Sequence, residues 1–432
     1  MKIRNTQRQS LILLMQLTDY YQLPYLPFAI NTLSAAAFQP EGITERKDQL
    51  LSAARVCCVR KLPFHNAAIQ VSKEFQRFEW GRMHSNNGMT GIGQFECLFL
   101  QMLTSLFNPI ENLYLDDKAC FLSGTELNGE KETISVFPEW IMDRFSLWDT
   151  TFTMMDNVTM IKYRDLRLPC SSRVKSILCD LDGEIQSAFE QGFDALKKIP
   201  EEHLFQWMGK IIYGVLYNDL IVEGNRTKRF GGGKEFELSP VLKKRFSLFH
   251  LMLQSLVTPV VFKGAKPWSI VVVKVKYSKD IFNYRDDAIS LNFSLGVNGF
   301  GIIACLQDNG AVVEHEKSLL EKIGEQTLHP VQFEELRARF LYANYLLKHR
   351  AQYNIQTSGE TLVVETELPG KPNDQLFAAW NGNTFGQLLA GYWTAWGLTS
   401  NNVFSLPGVP VSFLENDYTQ EFIDPVSIKL PY

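Results

Sequence analysis

The chain has 432 residues, 45% of them apolar and 12% aromatic, which excludes a disordered protein and leaves room for two or three cores. A formal net charge of −4 excludes a global basic field for nucleic acid, so any such binding must come from a local patch. Seven cysteines without a regular framework exclude a disulfide scaffold and fit a reducing cytoplasm.

The chain opens on Lys2, Arg4 and Arg8 ahead of the apolar run 11–15, but Asp19, Tyr20 and Tyr21 follow at once without a small-residue cleavage pattern. No stretch reaches the ~18 uninterrupted apolar residues of a membrane span, so a cytoplasmic protein with no membrane partner is expected. Residues 1–118 are predicted to be a mainly helical region. Segments 10–17, 46–60 and 67–80 carry apolar residues near a 3.6 period, and 95–107 is apolar enough to be buried. Cys57 and Cys58 fit the packing of such a helix. Gly88, Gly91 and Gly93 with Asn86 and Asn87 form a turn cluster, a connector without a phosphate-binding pattern.

The most informative segment runs from Cys120 to Glu184. It contains Cys120-Phe121-Leu122-Ser123-Gly124, then Ser135-Val136-Phe137-Pro138-Glu139-Trp140, then Pro169-Cys170-Ser171-Ser172-Arg173. A zinc knuckle needs two Cys-x-x-Cys pairs, because four thiolates at short spacing converge tetrahedrally on one ion. Here each pair keeps its first cysteine, and the second position is Ser123 or Arg173. A neutral hydroxyl is a poor zinc ligand, and a guanidinium has no lone pair to give.

On these residues the segment resembles bacterial HNH-type (His-Me finger) endonuclease-like proteins in a degenerate form. The matching positions are Cys120, Gly124, Val136-Phe137-Pro138, Trp140, Leu147-Trp148-Asp149, Tyr163-Arg164, Pro169 and Cys170. The likeness extends weakly to about residue 350 through 328–333. It implies a general-base histidine where this chain has Ser135, and an asparagine where it has Val174. Serine cannot replace imidazole as a base at neutral pH, so no catalytic residue, metal or cofactor is expected. The resemblance also suggests a setting in bacterial defence or mobile-element biology.

Beyond this region, helices are predicted over 178–196 and 201–222, the second with Leu204, Trp207, Met208, Ile211, Val215 and Leu216 on one core-facing stripe. Ser239-Pro240 opens another helix, with serine as N-cap and proline in the first turn, running toward Pro259. Strands are expected over 268–277, 289–295, 301–306 and 311–313, the last two joined by a hairpin at Asn309-Gly310. His329-Pro330 begins a helix of about twenty residues. A strand at 362–368 and an aromatic-rich helix at 383–398 close the chain. The expected fold class is α+β, divided as 1–118, a degenerate HNH-like region at 119–200, a helical and antiparallel-sheet region at 201–350, and 351–432.

Candidate nucleic-acid-binding residues form two groups. Arg164, Arg167, Arg173 and Lys175 surround the second half-knuckle. Lys228, Arg229 and Lys234, with Arg226 beside them, flank the loop Gly231-Gly232-Gly233, followed by Lys243, Lys244 and Arg245. Asp180, Asp182 and Glu184 suit a divalent cation by chemistry, but complementing a helix start is the expected role. Asp286 and Asp287 are expected in a turn. No two histidines share a helix face, and the aromatics Trp380, Tyr392, Trp393 and Trp396 are expected in a core. The resulting expectation is an inactive HNH-like protein that binds DNA or RNA or takes part in an assembly. The alternatives are a protein scaffold or self-associating component with no nucleic-acid role, and an enzyme whose site no spacing reveals.

Overall fold

The structure is a computed structural model that describes residues 107–430 except 111–114, 116, 128–131, 231–235, 349–351, 359–360, 368–374, 399, 407 and 417. The expected helices up to residue 106, the Cys57-Cys58 pair, the 85–93 connector and the glycine loop at 231–233 lie outside the described residues. The fold is α+β, as its sequence pattern predicts.

Strand β1 (Thr133–Ser135), helix α1 (Glu139–Arg144), the hairpin β2 (Thr151–Thr153) and β3 (Met160–Lys162), and strand β4 (Arg167–Pro169) form the first unit, with β4 returning antiparallel to β1. Helices α2 (Ser172–Gln191), α3 (Phe193–Leu196) and α4 (Glu201–Phe230) follow. Helix α2 begins well before the expected position 178, because the Ser171 side chain accepts from the Val174 amide and caps it. It ends at Gly192, whose φ of 93° favours glycine. Asp180, Asp182 and Glu184 therefore sit inside a helix and not at its start, so they do not complement its dipole. Asp182 instead faces Lys210 at 3.5 Å, and Glu184 meets His203 at 2.8 Å.

Helix α4 continues past the expected end at 222, and residues 204–217 are all buried, so the predicted stripe is part of an all-round core helix. Helix α5 (Pro240–Leu253) packs on it, with Leu253 and Phe249 against Gly209, and Ser239 accepts from the Leu242 amide as its N-cap.

The remaining elements are β5 (Val260–Lys263), β6 (Ser269–Val275), β7 (Asn283–Asp287), β8 (Asn292–Val297), β9 (Phe300–Cys305), α6 (Ala311–His315), α7 (Lys317–Ile323), β10 (Thr327–Leu328) and α8 (Pro330–Leu346). A five-stranded sheet has the order β10-β6-β9-β8-β7, antiparallel except for β10 beside β6. Three expectations fail here, the first being the strand at 311–313, which is the start of helix α6. The hairpin turn is Asn298-Gly299, between the paired residues Val297 and Phe300. Asn309-Gly310 instead opens α6, where the buried Asp308 carboxylate accepts from the Val312 amide at 2.8 Å and the Ser269 hydroxyl at 2.6 Å. Residues 283–287 form a strand despite their polarity, so Asp286 is not in a turn, whereas the Asp287 carboxylate accepts from the Ile289 and Ser290 amides at 3.0 and 2.9 Å and caps the turn that follows.

A second sheet joins β11 (Gln352–Ser358), β12 (Thr361–Glu367) and β5. Helix α9 (Gly382–Trp393) packs on α8, burying Trp393 while Trp380 stays 37% exposed. The last segment straps α8: Gln332 donates to the Phe413 and Ile423 carbonyls at 2.8 Å each, and Glu335 accepts from the Ser412 hydroxyl and Phe413 amide. One continuous apolar cluster runs from Ile110 to Val364 and includes residues on both sides of position 200.

Gly296 and Gly301 are cross-strand partners in β8 and β9, and the Phe333 ring of α8 fills the space over both. A Cβ at Gly301 would overlap that ring. Gly301→Ala is predicted to lower unfolding free energy by about 1–3 kcal/mol without changing the urea m-value. Equilibrium urea denaturation checks this.

Candidate functional site around Cys120 and Cys170

Residues 119–127 turn back on themselves. Ala119 bridges Glu126, the Cys120 amide donates to the Thr125 carbonyl at 2.8 Å, and the Gly124 amide donates to the Cys120 carbonyl at 2.9 Å. Gly124 has φ 69° and lies under the Phe107 ring, so both its conformation and its space require glycine. Cys170 stands at the end of β4, its amide held by the Glu132 carbonyl at 2.9 Å. The Phe121 amide donates to the Pro169 carbonyl at 2.8 Å and ties the two half-knuckles together.

Both cysteines are fully buried and reduced. The Cys170 thiol donates to the Ser171 carbonyl at 3.5 Å, and the neighbouring Cys170 side chain holds Cys120 below the ordinary thiol range. Burial opposes this, while the Ser123 hydroxyl and the Ser171 and Ser123 amides reinforce it. Cys170 is driven upward by Cys120 and by burial. His250 supports the turn from behind. Its Nε2–H donates to the Phe121 carbonyl at 2.8 Å, and Gln254 donates to its Nδ1 at 3.2 Å. Burial holds His250 neutral and pushes it down to about 4.

The other two knuckle positions do not complete a zinc site. Ser123 offers a hydroxyl that hydrogen-bonds Thr125 at 2.9 Å, and Arg173 is exposed on α2. Among the described residues no group of three or more His, Cys, Asp or Glu converges as a metal site. Ser135 and Val174 are equally closed to solvent. Ser135 is 3% exposed, its hydroxyl without a partner among the described residues, and Val174 is 1% exposed in the core. Phe137 anchors the unit among Phe152, Tyr163 and Tyr284, with centroids 5.9, 4.8 and 5.0 Å away.

The basic candidates separate by environment. Arg167, Arg173 and Lys175 are exposed on one edge of the unit, with Arg167 Nε donating to the Thr133 hydroxyl at 2.7 Å. Arg164 pairs with Asp149, which also holds Lys162 at 3.0 Å. Lys228 and Lys244 are exposed and Lys243 is partly buried. The Arg245 side chain is buried and donates to the Ser290 carbonyl at 2.8 Å, so it braces the sheet and is not part of a surface patch. Lys234 and the Arg229 side chain lie outside the described residues. Asn218 on α4 donates to the Arg167 carbonyl at 3.2 Å, which joins the helix to this edge. Lys228 follows about ten residues later, roughly 15 Å along the helix axis. The sequence gives no sign of His250, whose role depends on contacts with residues far away in the chain.

No family model, curated protein or solved structure matches the chain. No helix among the described residues is long and apolar enough to cross a membrane.

His250 is neutral when folded and free to protonate near pH 6.5 when unfolded, so the unfolded chain binds more protons between about pH 6.5 and 4. Stability is predicted to fall across that window by up to about 3 kcal/mol from this group. Urea unfolding from pH 7 to 4.5 should show a shallower decline in His250→Gln than in the parent, and parallel declines would contradict the assignment.

Proposed function

We propose that this protein is a catalytically inactive HNH-nuclease-like protein that binds nucleic acid through the outer edge of its knuckle unit. The observation that carries the reading is the closure of both catalytic positions. Ser135 and Val174 are packed inside the unit while its backbone ties remain intact. Metal-assisted phosphodiester cleavage needs an imidazole or equivalent base and a bound cation facing substrate, and neither position offers one. Arg167, Arg173 and Lys175 on the exterior supply separate charges of the kind that follow a phosphate backbone. Lys228 on α4 and Lys244 on α5 are further exposed cations.

An assembly role is the second reading, favoured by Val158 and Met160, which are 76% and 61% exposed on and beside the β2–β3 hairpin.

Fluorescence anisotropy with single- and double-stranded DNA and RNA decides between the two. The nucleic-acid reading predicts binding that weakens as salt rises. It also predicts that Arg173→Ala/Lys175→Ala lowers the log-affinity against log-salt slope by roughly 1.5–2. No cleavage is expected with magnesium present. Absence of binding at low salt, together with a larger particle by light scattering, would favour assembly.

A further inference from the structure

Between the sheet edge at β7 and the helices α8 and α9 lies a cleft of about 260 Å³, lined by Arg285, Ser294, Ile303, Arg337, Leu341 and Tyr392. One wall is polar because the alternation of a strand puts Arg285 and Asp287 of β7 on the same face as their partners Ser294 and Asn292 of β8. Arg337 of α8 is the buried cation at this cleft. Its side chain is 1% exposed, Nη2 donates to Glu334 Oε1 at 2.7 Å, and Nη1 donates to the Ser294 hydroxyl at 3.4 Å. Its Nε–H has no partner among the described residues. A guanidinium N–H taken out of water without an acceptor is costly, and folded proteins rarely leave one so.

We propose that the cleft binds a short aliphatic monocarboxylate, its carboxylate on Arg337 and its hydrocarbon tail against Ile303, Leu341 and Tyr392. The acceptors around the cleft are already taken. The Asp287 carboxylate accepts from the Ile289 and Ser290 amides, and the Asn292 side-chain carbonyl accepts from the Asn344 amide and the Ser290 hydroxyl. The Ser294 hydroxyl gives its proton to the Arg285 carbonyl at 3.2 Å. A water on the Arg337 Nε–H would have to place two hydrogens of its own where acceptors are spent, whereas a carboxylate brings acceptors alone. Arg285 supplies a second guanidinium: its Cζ lies 4.8 Å and that of Arg337 5.7 Å from the Tyr392 ring centroid. Hydrogen bonds from guanidinium to carboxylate are charge-assisted and correspondingly strong. Asp286 and Asp287 also line the cleft, so a ligand with a second negative charge is repelled. Ile303 and Leu341, 1% and 8% exposed, offer only apolar surface and set the preference for an aliphatic tail. The site shares no residue with the basic edge at Arg167, Arg173 and Lys175, so it stands or falls apart from nucleic-acid binding.

The test is calorimetric titration of the full chain with sodium butyrate at constant ionic strength. One saturable site is expected, with a dissociation constant on the order of millimolar for so small a ligand. Succinate, inorganic phosphate and 1-butanol should each bind roughly tenfold more weakly or worse, the first two for their second charge and the alcohol for want of a carboxylate. Two variants probe the site from different sides. Arg337→Lys keeps the charge and removes the Nε–H, and Leu341→Phe fills the cleft while leaving Arg337 in place. Each should weaken butyrate roughly tenfold or more, with near-ultraviolet circular dichroism reporting its fold. The proposal is overturned by no saturable butyrate binding, by equal binding of succinate, phosphate or butanol, or by undiminished binding in either folded variant. The comparison of ligands on the parent chain decides the matter even if both variants unfold.

Discussion

The burial of α4 is the constraint on which the rest of the structure depends. Residues 204–217 are enclosed on every side, and each side is a different part of the protein. Toward the knuckle, Tyr213 stacks on Phe121 at 5.7 Å, Gly214 receives the Val136 side chain, and Asn218 binds the Arg167 carbonyl. Toward the sheets, Phe205 stacks on Trp268 at 4.4 Å and Trp207 meets Phe293 at 5.9 Å. Each large apolar side chain so placed contributes about 1.5–3 kcal/mol relative to an exposed one. Gly214 is needed because a Cβ there would overlap Val136, so the contact between helix and knuckle fixes a side-chain size as well as a polarity.

That packing accounts for how the unit around Cys120 and Cys170 holds its shape. In small zinc modules the ion supplies roughly 10 kcal/mol or more of folding free energy because there is little core to do so. Here Leu122, Ile134, Val136, Leu166, Leu168 and Val174 belong to the same cluster as α4. The backbone ties from Phe121 to Pro169 and from Cys170 to Glu132 keep the two halves in register. His250 adds the hydrogen bond to the Phe121 carbonyl that the turn would otherwise leave to water. The unit is thus held by burial and hydrogen bonding.

Much of the fold follows from local signals. Ser239-Pro240 and His329-Pro330 each start a helix through a side-chain cap and a first-turn proline, both contained within a few residues. The errors arise where a local signal has two outcomes. Asn298-Gly299 and Asn309-Gly310 are the same dipeptide, yet only the first is flanked by strands in register. The second follows Asp308, whose carboxylate caps a helix. The polar strand 283–287 has no apolar alternation to reveal it and is fixed by pairing with β8. At the site, the Cys120-Phe121-Leu122-Ser123 and Cys170-Ser171-Ser172-Arg173 segments are legible from spacing, whereas the Phe121–Pro169 bond that joins them and the role of His250 depend on tertiary contact. The burial of Arg245 has the same origin, since the Ser290 carbonyl that holds it lies on a distant loop.

The most direct test of this account is zinc content and thermal unfolding of the full chain before and after chelation and gel filtration. A knuckle held by α4 and its apolar neighbours predicts less than stoichiometric zinc and the same unfolding midpoint in both samples. One zinc per chain, with a midpoint that drops when it is removed, would contradict it.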